Sequence, residues 1–189
     1  MKVVYSDLKN KRVFISGGGS GIGATIVEHF CEQKSEVYFI DIDLKSSNKL
    51  IKNIKKKGYR VPKFIECNIL DVKKLQNIIK DIISKKGAIH CLINSAANDD
   101  RHTTEQVDEK YWENRMGINL KHYFFAAQAV VKGMKKIKSG SIVNLSSVSW
   151  MLGEGDKVVY ETAKSAVVGL TRSFAQEFGK YNIRTNSVI

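Results

Sequence analysis

Proline is almost absent from this sequence. The only one, Pro62, stands just before an expected strand, which it can begin without removing a central ladder bond. Cysteine is scarce as well. Cys31, Cys67 and Cys91 lie tens of residues apart in apolar stretches, which fits neither a disulfide framework nor a zinc site and reads as small core residues. No apolar run approaches the roughly 20 residues that a membrane-spanning helix needs. The opening Met1-Lys2-Val3-Val4-Tyr5 lacks the apolar core and cleavage site of a signal peptide, so a cytoplasmic protein without membrane attachment is expected. Repeats, low-complexity tracts and plausible linkers are missing too, and nothing looks fibrous or disordered.

Acidic residues are also few: 19 Asp and Glu face 31 Lys and Arg, for a net charge of +12. Such an excess raises the question of nucleic acid or an anionic surface. The positive residues are mostly lysines spread over expected helices, as in Lys52, Lys55, Lys56 and Lys57. They carry no interleaved aromatics and no nucleic-acid motif, so solvated helix faces explain them better and no nucleic-acid partner is expected. A positive field would still favour an anionic cofactor.

What is present is a regular alternation. Short β-branched runs at Arg12–Ser16, Glu36–Asp41, Lys63–Cys67, Ile89–Asn94, Ser141–Leu145 and Arg184–Val188 are separated by helical patterns. The helices are expected near Gly21–Lys34, Leu44–Lys57, Val72–Lys85, Val107–Lys136 and Val158–Tyr181. Strands spaced by helices of this length need crossover connections, so the 189 residues predict one α/β domain. Its sheet should be parallel and doubly wound, of the Rossmann type.

The first strand runs into Ser16-Gly17-Gly18-Gly19-Ser20-Gly21-Ile22-Gly23, where the first helix opens. A pyrophosphate must approach backbone N–H groups at that helix's positive end, and side chains would obstruct it. Gly17 suits the tight turn, Gly21 the close approach and Gly23 the helix-strand packing; Gly19, Ser20 and Ile22 complete the expected cofactor loop. A glycine-rich loop alone is weak evidence, but one between a first strand and a first helix is much stronger. Asp41 ends the second strand 18 positions after Gly23, close to the spacing of an acid that bonds the adenosine ribose. A carboxylate there repels a 2′-phosphate, so NAD is expected rather than NADP.

Tyr160-Glu161-Thr162-Ala163-Lys164 opens the last helix, and residues four apart share a helix face. A nearby ammonium favours the phenolate and should lower the Tyr160 pKa. The pair alone would be a surface coincidence. Upstream, however, a strand ends in Ser146-Ser147, and Ser147 stands 13 positions before Tyr160.

Together, the glycine turn, Ser147 and the Tyr160–Lys164 pair resemble the short-chain dehydrogenase/reductase family from Lys11 to the last residue. That resemblance implies a catalytic set of Asn119, Ser147, Tyr160 and Lys164, with Tyr160 and Lys164 also touching the cofactor. It implies cofactor contacts from Asn68 and Ile69 after the third strand, and from Asn94 and Ala96 after the fourth. Asn119 should interrupt the long helix and hold a relay water. The segment Asn94-Ser95-Ala96-Ala97 departs from the family pattern at its second and fourth residues.

Asn98–His102, Tyr111-Trp112-Glu113, Gly133-Met134-Lys135 and Ser149-Trp150 further resemble the bacterial D-xylose 1-dehydrogenases, NAD-dependent members that oxidise an aldopyranose at its anomeric carbon to a lactone. Substrate contacts are then expected from Asn98, Ser147, Trp150 and Tyr160, with Glu154 and Asp156 nearby. The alternatives for Asn98–His102 are a polar loop without substrate contact and, for His102, a surface position. Nothing suggests a metal. A 3-oxoacyl reductase, a polyol dehydrogenase and an inactive NAD-binding remnant are the rival readings. The resemblance also implies a homodimer or homotetramer joined through the long fourth and fifth helices. Relatives continue past Ile189 with a Pro-Gly turn, a substrate-covering helical segment, a further helix and a seventh strand, so the chain is expected to be C-terminally truncated.

Overall fold

The structure is a computed structural model, and it describes residues 3–189. Six strands form one parallel sheet: β1 (Arg12–Ser16), β2 (Glu36–Asp41), β3 (Lys63–Glu66), β4 (Cys91–Asn94), β5 (Gly140–Leu145) and β6 (Ile183–Val188). Their order across the sheet is β3-β2-β1-β4-β5-β6. The direction of winding reverses between β1 and β4, where Ser16 pairs with Asn94 at the carboxyl ends. Crevices of this kind are where open α/β sheets take their ligands.

Helices α1 (Gly21–Glu32) and α2 (Leu44–Lys56) cover one face; α3 (Val72–Lys86), α5 (His122–Ile137) and α7 (Val158–Phe178) cover the other. Alternate residues of the central strand serve the two cores. Val13 and Ile15 pack with Val27, Phe39 and Ile54, whereas Phe14 packs with Leu75, Ile79, Val130 and Met134. Each such fully buried side chain stabilises the fold by roughly 1.5–3 kcal/mol. Burial on both faces is why these strands read as continuous apolar runs instead of alternating ones.

Helix ends follow local chemistry. Asp43, Asp71 and Asp108 cap α2, α3 and α4 (Glu109–Met116) by accepting from the amides of Ser46, Lys74 and Tyr111. Lys55 and Lys56, Lys85 and Lys86, and Lys135 and Lys136 occupy last turns, where a cation complements the helix dipole. Much of the basic excess is thus accounted for by helix termini.

One expected element differs in form. The pattern from Val107 to Lys136 is α4 and α5 joined by a π-helical turn at Gly117–Lys121, and helix proper begins only after Asp108. The strand expected from Ile89 begins at Cys91, and the one expected to reach Cys67 stops at Glu66. Cys31 and Cys67 are buried. Among the described residues no helix is long and apolar enough to cross a membrane, and no cluster of His, Cys, Asp and Glu could hold a metal ion.

Candidate active site

A cleft of about 690 Å³ opens at the carboxyl ends of the strands, over the reversal between β1 and β4. Its walls come from the loop after β1, the ends of β2 and β3, the segment after β4 and the start of α7. Gly17, Ser20, Gly21, Ile22, Gly23, Asp41, Asn68, Ile69, Ala96, Asn98, Tyr160 and Lys164 all line it. Twelve residues singled out from sequence are therefore brought to one place.

The glycine turn is built to let a ligand's phosphates approach the backbone. Gly17 is left-handed at φ +68°, and a Cβ there would sit 2.6 Å from the Ala96 Cα. At Gly23 a Cβ would come within 1.9 Å of the Gly17 carbonyl oxygen, so the helix can pack this close only on glycine. Ser20 caps α1 without a side-chain bond to its amides. The first-turn N–H groups of α1 therefore face the cleft at the helix's positive end, the arrangement that binds anions.

Asp41 closes this loop. Its carboxylate accepts from the Gly19 amide at 2.8 Å and from the Asp43 amide at 2.9 Å. Gly19 is thereby a hinge between loop and acid; a Cβ on it would meet the Asp41 carboxylate at 2.9 Å and the Ser47 hydroxyl at 2.5 Å. These features fit a dinucleotide: amides for its pyrophosphate, a cradle without side chains, and a carboxylate fixed at the end of β2.

The segment after β4 is tied down from both sides. The Ser16 hydroxyl accepts from the amides of Ser95 and Ala96 at 3.2 and 3.4 Å. Asn119, in the π turn and fully buried, accepts from the Asn98 amide at 2.8 Å and donates to the Asn98 carbonyl at 2.9 Å. Asn94 does not reach the cleft. Its Nδ2 donates to Asn144 at 2.9 Å, and Asn144 donates on to Thr171 of α7 at 2.9 Å. Asn94 acts from behind, by locking β4, β5 and α7 together.

Tyr160 stands half-buried on the first turn of α7. Burial pushes its pKa up, against a hydrogen bond with Ser147 that lowers it; Asp99 adds to the rise and Lys157 opposes it. The expectation that Lys164 would lower the Tyr160 pKa is not met. The Lys164 ammonium lies 5.5 Å from the Tyr160 ring centroid and instead donates to the Leu145 carbonyl at 2.7 Å and the Tyr123 hydroxyl at 2.9 Å. Lys164 itself is 1% exposed, and burial lowers its pKa to about 8. Ser147 shares a hydrogen bond of 2.9 Å with the Ser149 hydroxyl.

His102 is not a surface residue. It is buried, and its Nε2 accepts from the amide of Val159, the residue before Tyr160, at 3.3 Å. The imidazole thus caps α7 from a distant loop, where its own cap residue, Lys157, offers no side-chain bond. Asp156 and Glu154 are ion-paired with Arg101, at 3.3 and 3.9 Å, and Glu154 also with Lys157. Trp150, on the short helix α6 (Ser149–Leu152), has a buried indole N–H with no partner among the described residues and does not line the cleft.

Tyr123, His122, Asn144 and Thr171 were not singled out from sequence. All four are buried polar groups within apolar helix or strand patterns, and His122, held neutral by burial at a pKa of about 3, stacks edge-on against Tyr123 at 4.4 Å. Only the polar character of Asn144 and Thr171 at core positions could have signalled them.

Known proteins agree with this geometry. The chain is 40% identical over 187 residues to a D-xylose 1-dehydrogenase of Caulobacter vibrioides, covering 98% of this chain and 73% of that protein. It is 38% identical over 185 residues to a probable galactose dehydrogenase of Rhizobium meliloti, covering 98% of this chain and 72% of that one. Among solved structures, the aldohexose dehydrogenase of Thermoplasma acidophilum superposes with a TM-score of 0.85 at 28% identity, over 97% of this chain and 67% of that one. A family model described as short chain dehydrogenase matches residues 11–189. By fold, cleft and sequence, the chain belongs to the short-chain dehydrogenase family of oxidoreductases.

Proposed function

We propose that this protein oxidises an aldose such as D-xylose or D-galactose at its anomeric carbon, with NAD as hydride acceptor and a lactone as product. The observation that carries the reading is the convergence of Asp41, the glycine turn, Tyr160 and Lys164 on one cleft at the sheet reversal. The likeness to a xylose and a galactose dehydrogenase over nearly the whole chain favours a sugar over other alcohols.

When bound, the cofactor would supply the hydride acceptor. The amides of the Ser20–Gly23 turn would hold its pyrophosphate, Asp41 would take its adenosine ribose, and Asn68 and Ile69 would flank its adenine. The phenolate of Tyr160 removes the proton of the anomeric hydroxyl as the hydrogen on that carbon departs as hydride. Ser147, with its single O–H, donates to the substrate oxygen and stabilises the charge that develops there. Lys164, as ammonium, would present its remaining N–H to the cofactor's second ribose. Asn119 holds the Asn98 loop at the substrate side of the cleft, so its contribution here is to shape the cleft wall.

NAD preference rests on Asp41: its two amide bonds fix a carboxylate where a 2′-phosphate would have to sit, and the loop from Ser16 to Ser20 has no cation to offset the repulsion. A cytoplasmic homo-oligomer joined through α4, α5 and α7 belongs to the same reading. It is supported by the apolar strip of Leu120, Phe124, Phe125, Ala166 and Leu170 on the outer side of α5 and α7.

Tyr160→Phe tests the assignment. The variant should bind NAD as the wild type does, by calorimetric titration, while turnover falls by at least about a thousandfold. Normal turnover in that variant removes Tyr160 from the chemistry.

A further inference from the structure

Lys164 is in an unusual position for a charged group: it is almost fully buried, and burial alone accounts for the fall of its pKa to about 8. An ammonium so placed must have its three hydrogens accepted or lose its charge. The structure shows two acceptors. One is the Leu145 carbonyl at the end of β5, at 2.7 Å, and the other is the Tyr123 hydroxyl on α5, at 2.9 Å. Tyr123 in turn donates to the same Leu145 carbonyl at 3.0 Å, closing a three-membered ring of hydrogen bonds.

We propose that Tyr123 is the positioning residue of Lys164, holding its ammonium charged and aimed so that a single N–H is left for the cleft. This rests on the reading of Tyr160 and Lys164 as the working pair.

Three observations carry it. First, Tyr123 is fully buried, so its hydroxyl has no solvent to serve, and among the described residues its partners are Lys164 and Leu145. Second, Tyr123 stays a neutral phenol: burial raises its pKa, and the negative charge on Tyr160 raises it further. Its oxygen is therefore a lasting acceptor and its proton is committed to Leu145. Third, Tyr123 is the second residue of α5 after the π turn that carries Asn119, so the same break in the helix that presents Asn119 to Asn98 also sets the phase of the Tyr123 ring.

The groups facing Lys164 are few. Tyr160 lies four residues before it on α7, with the ring centroid 5.5 Å from the ammonium. The Tyr123 ring lies at 5.2 Å on α5, and His122 beside it is neutral. Among the described residues no carboxylate acts on the ammonium. With no counter-ion, the hydroxyl of Tyr123 and the carbonyl of Leu145 are what keep the charge in place.

The test is Tyr123→Phe, which preserves ring volume and leaves the Leu145 carbonyl bonded to Lys164. Without the hydroxyl, the ammonium is held less well and gives up its proton at lower pH. Folded Lys164 already binds its proton more weakly than an unfolded lysine and the variant weakens that hold further, so the added cost is present while the wild-type ammonium keeps its proton and is lost as pH rises through its pKa of about 8. The difference in Tm between wild type and variant should therefore be largest at pH 7 and shrink by pH 10. It should be independent of pH when both proteins also carry Lys164→Met. In turnover, a limb of the pH profile of kcat/KM should move down by roughly one pH unit.

A Tm difference constant from pH 7 to 10, or none at all, overturns the proposal. So does an unmoved profile in a variant with normal turnover. A wild type inert with every aldose contradicts the proposed function, whereas a narrowing Tm difference would still support the hold of Tyr123 on Lys164.

Discussion

Asn119 and Asn98 hold one another in both directions: the Asn119 side chain accepts from the Asn98 amide at 2.8 Å and donates to its carbonyl at 2.9 Å. The side chain thus imitates a strand partner and pins the segment after β4 to a π turn 21 residues further on. A helix of regular pitch would carry that side chain elsewhere; the extra residue in the turn is what aims it. Asn119→Ala should leave two half-buried backbone groups unpaired and cost about 1–3 kcal/mol in urea unfolding. Asn119→Asp keeps the acceptor for the Asn98 amide and should lose less. Equal stability of all three proteins would show that the pair holds nothing.

Asp41 governs the choice of dinucleotide. Asp41→Ala removes the carboxylate that Gly19 and Asp43 orient. NAD affinity should fall about tenfold, the loss of one good hydrogen bond to a charged group, while NADP affinity should rise as the repulsion is relieved. Titration calorimetry with both cofactors checks this, and an unchanged ratio of affinities would move specificity to another residue.

The pair of Tyr160 and Lys164 predicts a pH dependence with a definite sign. The working form has a phenolate and an ammonium, so it carries one proton fewer than the fully protonated pair. Burial raises the Tyr160 pKa and lowers that of Lys164 to about 8. The first proton therefore leaves the pair no higher than about pH 8, and kcat/KM should climb between pH 6 and 8. Ser147 lowers the Tyr160 pKa, so Ser147→Ala should displace a limb of the profile upward and reduce kcat roughly a hundredfold. A flat profile from pH 6 to 8 would contradict the assignment of the pair.

Much of this site was legible before any fold was known, because it depends on spacing within single elements. A turn without side chains before a helix, an acid at the end of the second strand, and Tyr160 four residues before Lys164 are local patterns. What tunes them is not local. Tyr123 meets Lys164 across 41 residues, Asn144 meets Thr171 across 27, and His102 caps Val159 across 57. Each of those residues lies in a stretch whose pattern is satisfied by packing alone, so no periodicity marks it. The direction of the Tyr160 pKa is not legible in the sequence for the same reason. Spacing shows that Lys164 is near, but only packing shows how deeply both are buried and that the ammonium is turned toward Leu145 and Tyr123. The resemblance places an interruption at Asn119, and the structure has one there, but its π-helical form is not legible, since the apolar residues continue a helical pattern across the break.

The central claim is hydride transfer from an aldose to NAD in the cleft above β1 and β4. Its most direct measurement is NADH formation by the purified protein across a panel of aldoses including D-xylose and D-galactose, with NADP as the control. The account predicts NADH from at least one of these sugars, a lactone as the co-product, and much weaker turnover with NADP. NAD binding without turnover of any sugar on the panel would contradict it.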